Sequence, residues 1–278
     1  MAQDIKLRGR IKTLKSLNLI FSALQVITVT KLSKARERLN SARKFRDEID
    51  ETLKSSGPYL HQKKAKNGRT AAILIAGSRG LCGTFNQDIF NRTRSFLAEH
   101  KGKEVDFFVF GNQGHGFLRS KKQKIAEFYA SDAADFESIR ALAEKLWRSI
   151  GDGETSEVYL IYNHFYTHFN RRSVANRILP YEAEPQTQSG GMWIMEPDRL
   201  SLIEKITFSH FAAGIFFALS ESRLGELSAR MVTLKSAIDN SKELIDDLTI
   251  KQNKARQQMI TQEILEIIET SEAIREEN

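Results

Sequence analysis

The stretch "TAAILIAGSRGLCGTFNQDIF" runs from Thr70 to Phe90 and joins an apolar run, a glycine-rich loop and a helical pattern. In that order the three predict a strand, a tight turn and the helix that begins a crossover, the opening of an α/β domain. Three later apolar runs read as further strands: "VDFFVF" (105–110), "KIAEFYA" (124–130) and "EVYLIYNHF" (157–165). Between them "FNQDIFNRTRSFLAEH" (85–100), "QGHGFLRSKK" (113–122) and "FESIRALAEKLWRSI" (136–150) read as helices. Strands separated by helices of this length predict a parallel sheet with right-handed crossovers, doubly wound and Rossmann-like. The segment 181–197, "YEAEPQTQSGGMWIMEP", reads as an irregular linker.

Outward from this centre the residues that stop helices become rare. All four prolines (Pro58, Pro180, Pro185, Pro197) lie between 58 and 197, and thirteen of the sixteen glycines lie between Gly57 and Gly191. Inside a helix, proline costs about 3 kcal/mol and glycine about 1 kcal/mol, so flanks without proline and with only three glycines are free to run as long helices. On the first flank Leu14, Leu17, Phe21, Leu24, Thr28, Leu32, Ala35, Leu39, Ala42, Phe45, Ile49 and Leu53 recur three and four apart. On the last, Leu224, Leu227, Met231, Leu234, Ile238, Ser241, Ile245, Leu248, Gln252, Ala255 and Met259 do the same. A sustained three-four alternation is the pattern of a coiled coil. Three segments follow: an N-terminal helix over 1–56, a central α/β domain over 57–197 and a C-terminal helix over 198–278.

Charge supports pairing of the two flanks. Residues 1–56 carry 13 Lys/Arg against 6 Asp/Glu, whereas residues 198–278 carry 10 against 14. A basic helix and an acidic one, joined by a domain that turns the chain back, predict a long antiparallel coiled coil. Two separate amphipathic helices lying on the domain are the alternative, but the stripes are too long for its surface.

Composition narrows the function. With 41% hydrophobic and 28% charged residues the chain has a real core, and no run of about 18 uncharged apolar residues predicts a membrane span. The opening "MAQDIKLRGRIKTLKS" lacks the apolar centre of a secretory signal and runs straight into the helical stripe, so it reads as mature protein. The single cysteine, Cys82, excludes an internal disulfide framework and fits a reducing compartment. A net charge of +7 invites an anionic partner. The first helix nevertheless lacks the interleaved aromatics of a nucleic-acid reader, and no nucleic acid is expected.

Gly77, Gly80 and Gly83 form GxxGxxG. A dinucleotide fingerprint needs GxGxxG and a P-loop needs GxxxxGK followed by Ser or Thr, so tight turns are expected here rather than a nucleotide site. "GNQGHG" (111–116) matches neither pattern. His164 and His168 stand four apart at a strand end with no evident third ligand. No catalytic grouping, metal site or cofactor is expected.

Several stretches match one known family. "SRGLCGTFN" (78–86) resembles the "SDRGLCGGFN" signature of the gamma subunit of rotary F-type ATP synthases. "DIKLRGRIKTLKSLNLIFSALQVITVTKL" (4–32) is similar to that family's opening helix, and "ESRLGELSARMVTLKSAIDNSKELIDDLTIKQNKARQQMITQEILEI" (221–267) to its closing one. "MEPD" (195–198) is similar to the Tyr-Glu-Pro segment before the second helix. The resemblance covers nearly the whole chain. It implies a non-catalytic rotor shaft that carries torque from an ion-driven c ring to a catalytic hexamer of alpha and beta subunits. It also implies an epsilon subunit beside the central domain, and a place peripheral to a bacterial inner membrane on its cytoplasmic side.

The same resemblance implies site residues. Arg256, Gln257, Thr261 and Glu263 match the positions that hold a beta-subunit loop, the contact called the catch. Lys31, Lys34 and Arg36 would face the acidic levers of the beta subunits. Trp193 and Glu196 fall where the foot of the family meets the c ring and epsilon. Departures accompany the match: Gly77-Ser78 replaces Ser-Asp, Thr84 replaces Gly, and "NLIFSALQVITVT" replaces a Lys-bearing stretch. The end, "IIETSEAIREEN", is charged where the family's tail is small and apolar. These leave open a gamma-like subunit of a specialised ATPase or another force-producing machine. A nucleotide-binding domain on a coiled-coil stalk is the lesser alternative.

Overall fold

A computed structural model describes residues 2–56, 68–130, 135–166, 171–181 and 198–276. In chain order the elements are α1 (Ala2–Ser56), β1 (Arg69–Ile75), α2 (Phe85–Glu99), β2 (Val105–Phe110), α3 (Asn112–Ser120), β3 (Ile125–Tyr129), α4 (Phe136–Gly151), β4 (Thr155–Phe165), β5 (Arg171–Leu179) and α5 (Arg199–Glu276). Two compact units divide them. One comprises Met1–Val29 and Met231–Asn278, the other Thr30–Arg230, and α1 and α5 contribute to both.

The larger unit is built on a five-stranded sheet in the order β3-β2-β1-β4-β5. Its first four strands are parallel and β5 runs antiparallel to β4. The period-2 alternation of each strand assigns the helices to faces. Ala71, Ile73 and Ile75 share one face with Phe108, Phe110, Val158, Leu160 and Tyr162. They pack on α4 through Ile139, Leu142, Ala143, Leu146 and Ile150, and on α5 through Phe211, Ala212, Ile215 and Ala218. Ala72, Leu74 and Ala76 share the other face with Phe107, Val109 and Ile161, covered by Ile89 and Phe96 of α2 and by Phe117 and Leu118 of α3. Phe96, Phe107 and Phe110 are fully buried, each stabilising the core by roughly 1.5–3 kcal/mol relative to exposure. Burial on both faces is why β1 reads as one continuous apolar run.

The helices start where the local chemistry allows. The Asp135 carboxylate accepts the Ser138 N–H at 2.9 Å and caps α4. Within the same unit α1 and α5 pack through Leu39, Ala42, Phe217 and Leu224. Arg46 covers the Phe217 ring at 3.9 Å.

The expected strands and helices all form, within a residue or two at their ends, but β5 had no counterpart in the sequence reading. Its sequence, RRSVANRIL, carries three arginines and only a loose alternation. As an edge strand it needs a partner on one side only, so it lacks the apolar run of a central strand.

The smaller unit is the antiparallel pair of α1 up to Val29 with α5 from Met231. Asn18 donates its side-chain amide to the Ile238 carbonyl at 3.1 Å, and Gln252 donates to Asp4 Oδ1 at 3.0 Å. The step from 4 to 18 on one helix is thus matched by 252 back to 238 on the other. Ile11, Thr28, Leu234, Ile238, Ser241 and Leu248 are buried along the seam. Polar residues in that seam are satisfied locally: the Thr28 hydroxyl donates to the Leu24 carbonyl and the Ser241 hydroxyl to that of Ala237.

Both long helices hold a stretch long and apolar enough by composition to cross a bilayer. In α5 half of the residues in that stretch are buried in the protein, whereas in α1 only 6% are. The cause in α1 is a second apolar stripe: Leu19, Ile20, Val26 and Ile27 are all more than half exposed.

Candidate functional site

β1 lies between β2 and β4: the chain leaves β1 through α2 toward β2 on one side, and returns from β3 through α4 to β4 on the other. Its carboxyl end is therefore the switch point at which α/β sheets commonly take ligands. In this chain the loop at that point is occupied by the protein itself. The Gly77 N–H donates to Asn86 Oδ1 at 2.8 Å, and the Asn163 amide donates to the Phe85 carbonyl at 2.9 Å. Cys82, 2% exposed, packs with Phe85 and Ala229, and burial pushes its thiol pKa up. Thr84 offers no side-chain cap to α2; its hydroxyl donates to Asp88 instead, at 2.9 Å.

α5 closes the loop from outside. Arg230 donates to the carbonyls of Arg79 and Gly80 at 3.3 Å, and Arg223 to the Ser78 hydroxyl at 3.3 Å. Both arginines also hold the buried Glu226 carboxylate, at 2.5 Å from Arg230 and 2.9 Å from Arg223. A phosphate cradle turns a row of N–H donors toward its anion. Here carbonyl oxygens face a guanidinium, so the loop is a socket for α5. Gly77 is required by closeness, since a Cβ there would lie 2.8 Å from Asn86 and 3.3 Å from Glu226. At the adjacent β2–α3 turn Gly111 has φ +96, and a Cβ would meet the Ala76 carbonyl oxygen at 2.3 Å. Close packing thus holds both positions to glycine.

His164 is likewise engaged inside the unit. Its Nδ1 lies 2.8 Å from Glu221 Oε2, and Glu221 is 1% exposed. Burial raises the Glu221 pKa against the pull of His164. His168 lies outside the described residues, as do Trp193 and Glu196.

Two of the three basic residues expected on the first helix come together. Lys31 and Lys34 line one cavity of about 420 Å³ in the larger unit, shared with Arg38 and Arg223. Arg36 is exposed and is not among its walls.

In the smaller unit Arg256, Gln257, Thr261 and Glu263 are all exposed on α5. They lie past Gln252, which faces Asp4 near the start of α1. From Ile260 to Glu269 every side chain is exposed, Ile264, Leu265 and Ile267 included. At about 100° per residue the four expected contact residues span an arc of roughly 160°. Gln257 and Thr261 sit one turn apart, and the Thr261 hydroxyl donates to the Gln257 carbonyl at 3.0 Å. This surface can make hydrogen bonds and one bidentate carboxylate contact. It assembles no nucleophile, general base or metal set.

The sequence reading missed Glu221, Arg223, Glu226 and Arg230. Their signal was charge within the apolar stripe of α5. A Glu–Arg spacing of four usually marks a solvated helix face.

A family model described as ATP synthase matches residues 4–274. The ATP synthase gamma chain of Rubrobacter xylanophilus is 32% identical over 289 residues, covering 99% of both chains. That of Chlorobium luteolum is 31% identical over 283 residues, covering 97% of this chain and 98% of its own. Among solved structures, a chain of the Euglena gracilis mitochondrial ATP synthase superposes with a TM-score of 0.69 at 17% identity, over 98% of this chain and 95% of its own. A chain from the central stalk and c-ring structure of the Tetrahymena thermophila mitochondrial ATP synthase gives 0.61 at 20% identity, over 78% and 99%. At these identities the two structures bear on fold alone, and the fold is the same: long terminal helices about a central sheet.

Proposed function

We infer the role of this chain from its kinship: it belongs to the ATP synthase gamma-chain family, and it serves as the central rotor shaft of an F-type ATP synthase. Its partners are the alpha and beta subunits of the catalytic hexamer, the epsilon subunit and the c ring. The chain is non-catalytic and transmits torque, while bond-making belongs to the beta subunits. It works peripheral to the membrane, on the cytoplasmic side of a bacterial inner membrane, in a complex driven by protons or sodium ions.

The observation that carries this reading is the pairing of α1 with α5, followed by a stretch of α5 that goes on exposed past its partner. Paired helices without proline resist bending, and an exposed end with adaptable polar groups can meet successive partners. Arg256, Gln257, Thr261 and Glu263 form the catch for a beta-subunit loop. Lys31, Lys34 and Arg36 attract the acidic levers through contacts that salt screens, which suits a sliding surface. Trp193 and Glu196 belong to the foot at the c ring and epsilon. The exposed apolar stripe of α1 favours a second reading, a gamma-like subunit of a specialised relative of the synthase.

Reconstitution tests the assignment. Mixed with its own alpha and beta subunits, the chain co-purifies at one copy per hexamer and turns during ATP hydrolysis. Arg256→Ala with Gln257→Ala keeps the complex but weakens torque transfer, because a charged hydrogen bond worth about 1.5–3 kcal/mol is gone. Failure to enter any such hexamer overturns the assignment.

A further inference from the structure

The cavity of about 420 Å³ lies wholly within the larger unit, beside the carboxyl ends of β1 and β2 at Ala76 and Phe110. It falls within the 300–1,000 Å³ typical of small-molecule sites. α1 contributes Lys31, Lys34 and Arg38, and α5 contributes Ser222, Arg223 and Glu226. Four cations thus surround the space against one carboxylate. That carboxylate is already matched within the chain, at 2.9 Å by Arg223 and 2.5 Å by Arg230. Lys31 and Lys34 form no ion pair among the described residues. Arg38 is steadied by the Phe216 ring, 5.1 Å from its guanidinium carbon.

Ser222 supplies the independent sign. A serine inside a helix ordinarily turns its hydroxyl back to the carbonyl four residues earlier, as Ser220 does to Phe216 at 2.8 Å. Ser222 is 2% exposed as a residue and lines the cavity; its hydroxyl makes no hydrogen bond among the described residues and stays open to the cavity. A hydroxyl left open in this way is available to donate to an occupant of the cavity.

We propose that this cavity binds a small phosphate-class oxyanion, held by Lys31, Lys34 and Arg38 on one helix and by Ser222 and Arg223 on the other. The oxyanion accepts from the ammonium groups, the guanidinium forks and the hydroxyl together. It neutralises the positive charge that Lys31, Lys34 and Arg38 of α1 bring to the space. The glycine loop supplies none of these donors. Free phosphate and the terminal phosphates of a nucleotide share this chemistry.

Calorimetry and thermal melting of the full chain test it, with phosphate, pyrophosphate and ADP titrated separately in chloride at constant ionic strength. One saturable site is expected, with a raised melting temperature. Lys34→Gln weakens it about tenfold or more, Ser222→Ala weakens it severalfold, and Lys44→Gln, away from the cavity, leaves it unchanged. ADP binding more tightly than pyrophosphate identifies a nucleotide as the ligand; equal affinities identify the phosphate groups alone. The proposal fails if no anion saturates by roughly 10 mM. It fails equally if Lys44→Gln costs as much as Lys34→Gln, or if only a poly-glutamate peptide binds.

Discussion

Arg230 and Glu226 lie one turn apart on α5 with 2.5 Å between guanidinium and carboxylate, and their side chains are 12% and 3% exposed. At the surface such a pair contributes about 0.3–0.5 kcal/mol. Buried, it has another character, because removing one partner strands a charge in a dry environment. Glu226→Ala leaves both Arg223 and Arg230 without their carboxylate and is expected to cost about 3–5 kcal/mol. The exposed pair Lys251–Asp247, also one turn apart at 2.8 Å, makes the control, and Asp247→Ala changes stability by less than about 0.5 kcal/mol. Urea unfolding of the full chain reads both. Equal effects would mean that Glu226 is solvated and the socket open.

A glycine just before α3 and one inside it predict opposite outcomes. Gly111→Ala puts a Cβ on a residue with φ +96 and against a backbone oxygen at 2.3 Å. A loss of about 1–3 kcal/mol or more is expected, since backbone cannot swing aside as a side chain can. Gly116 lies inside α3 with open space where its Cβ would go. Gly116→Ala is expected to gain up to about 1 kcal/mol from helix propensity. Melting temperatures move in opposite directions if the turn geometry is right.

Periodicity made most of this fold readable, and it failed where structure departs from period. β1 announced itself because both of its faces are buried, whereas β5, paired on one side, left only a polar stretch. The role of the glycine loop was half legible. Its spacing excluded a phosphate cradle, but its partners Glu226 and Arg230 lie far away in the chain, and no local pattern links them to Gly77. The long stripes were right in kind and loose in detail. Leu17 and Phe45, placed in the stripe of α1, are 39% and 40% exposed, because a straight helix drifts about 20° per heptad from a strict repeat. Phe45 instead meets the Phe136 ring edge-on at 6.1 Å. The catch residues rested on family resemblance alone; exposure of all four is the contribution of the structure.

His210 gives the larger unit a sensitivity to acid. It is hydrogen-bonded to the Tyr181 hydroxyl at 2.5 Å and lies 3.5 Å from Asp50. Burial lowers its pKa from the ordinary 6.5, helped by Arg46 and Lys54 and opposed by Asp50. The unfolded chain therefore takes up a proton that the folded chain resists, and stability rises with pH across this window. The contribution is complete above about pH 6.5 and is lost as pH falls through the lower folded value. The raised pKa of Glu221 has the opposite sign, favouring the folded state at lower pH, so only a difference between variants isolates His210. His210→Gln is expected to flatten the fall in melting temperature between pH 7 and 5. An unchanged slope would assign the acid response to other groups.

The outer face of α1 is apolar and uncovered in the isolated chain. Leu19 and Val26 are 72% and 68% exposed, with Ile20 and Ile27 at 53% beside them. Positions 19, 20, 26 and 27 fall on one side of a helix, opposite the side that carries Asn18 and Thr28 into the seam. Most of the Leu19 and Val26 surface is exposed in the pair, so Leu19→Gln with Val26→Gln is expected to leave the stability of the isolated chain within about 0.5 kcal/mol. A shaft turning inside a hexamer would bury these side chains at least part of the time, each worth roughly 1.5–3 kcal/mol when fully covered. Offered together with the unaltered chain to limiting alpha and beta subunits, the double variant is therefore expected to be outcompeted by about tenfold or more. Equal incorporation would mean that this face never meets the hexamer, and the contacts of the first helix would then rest on its basic residues alone.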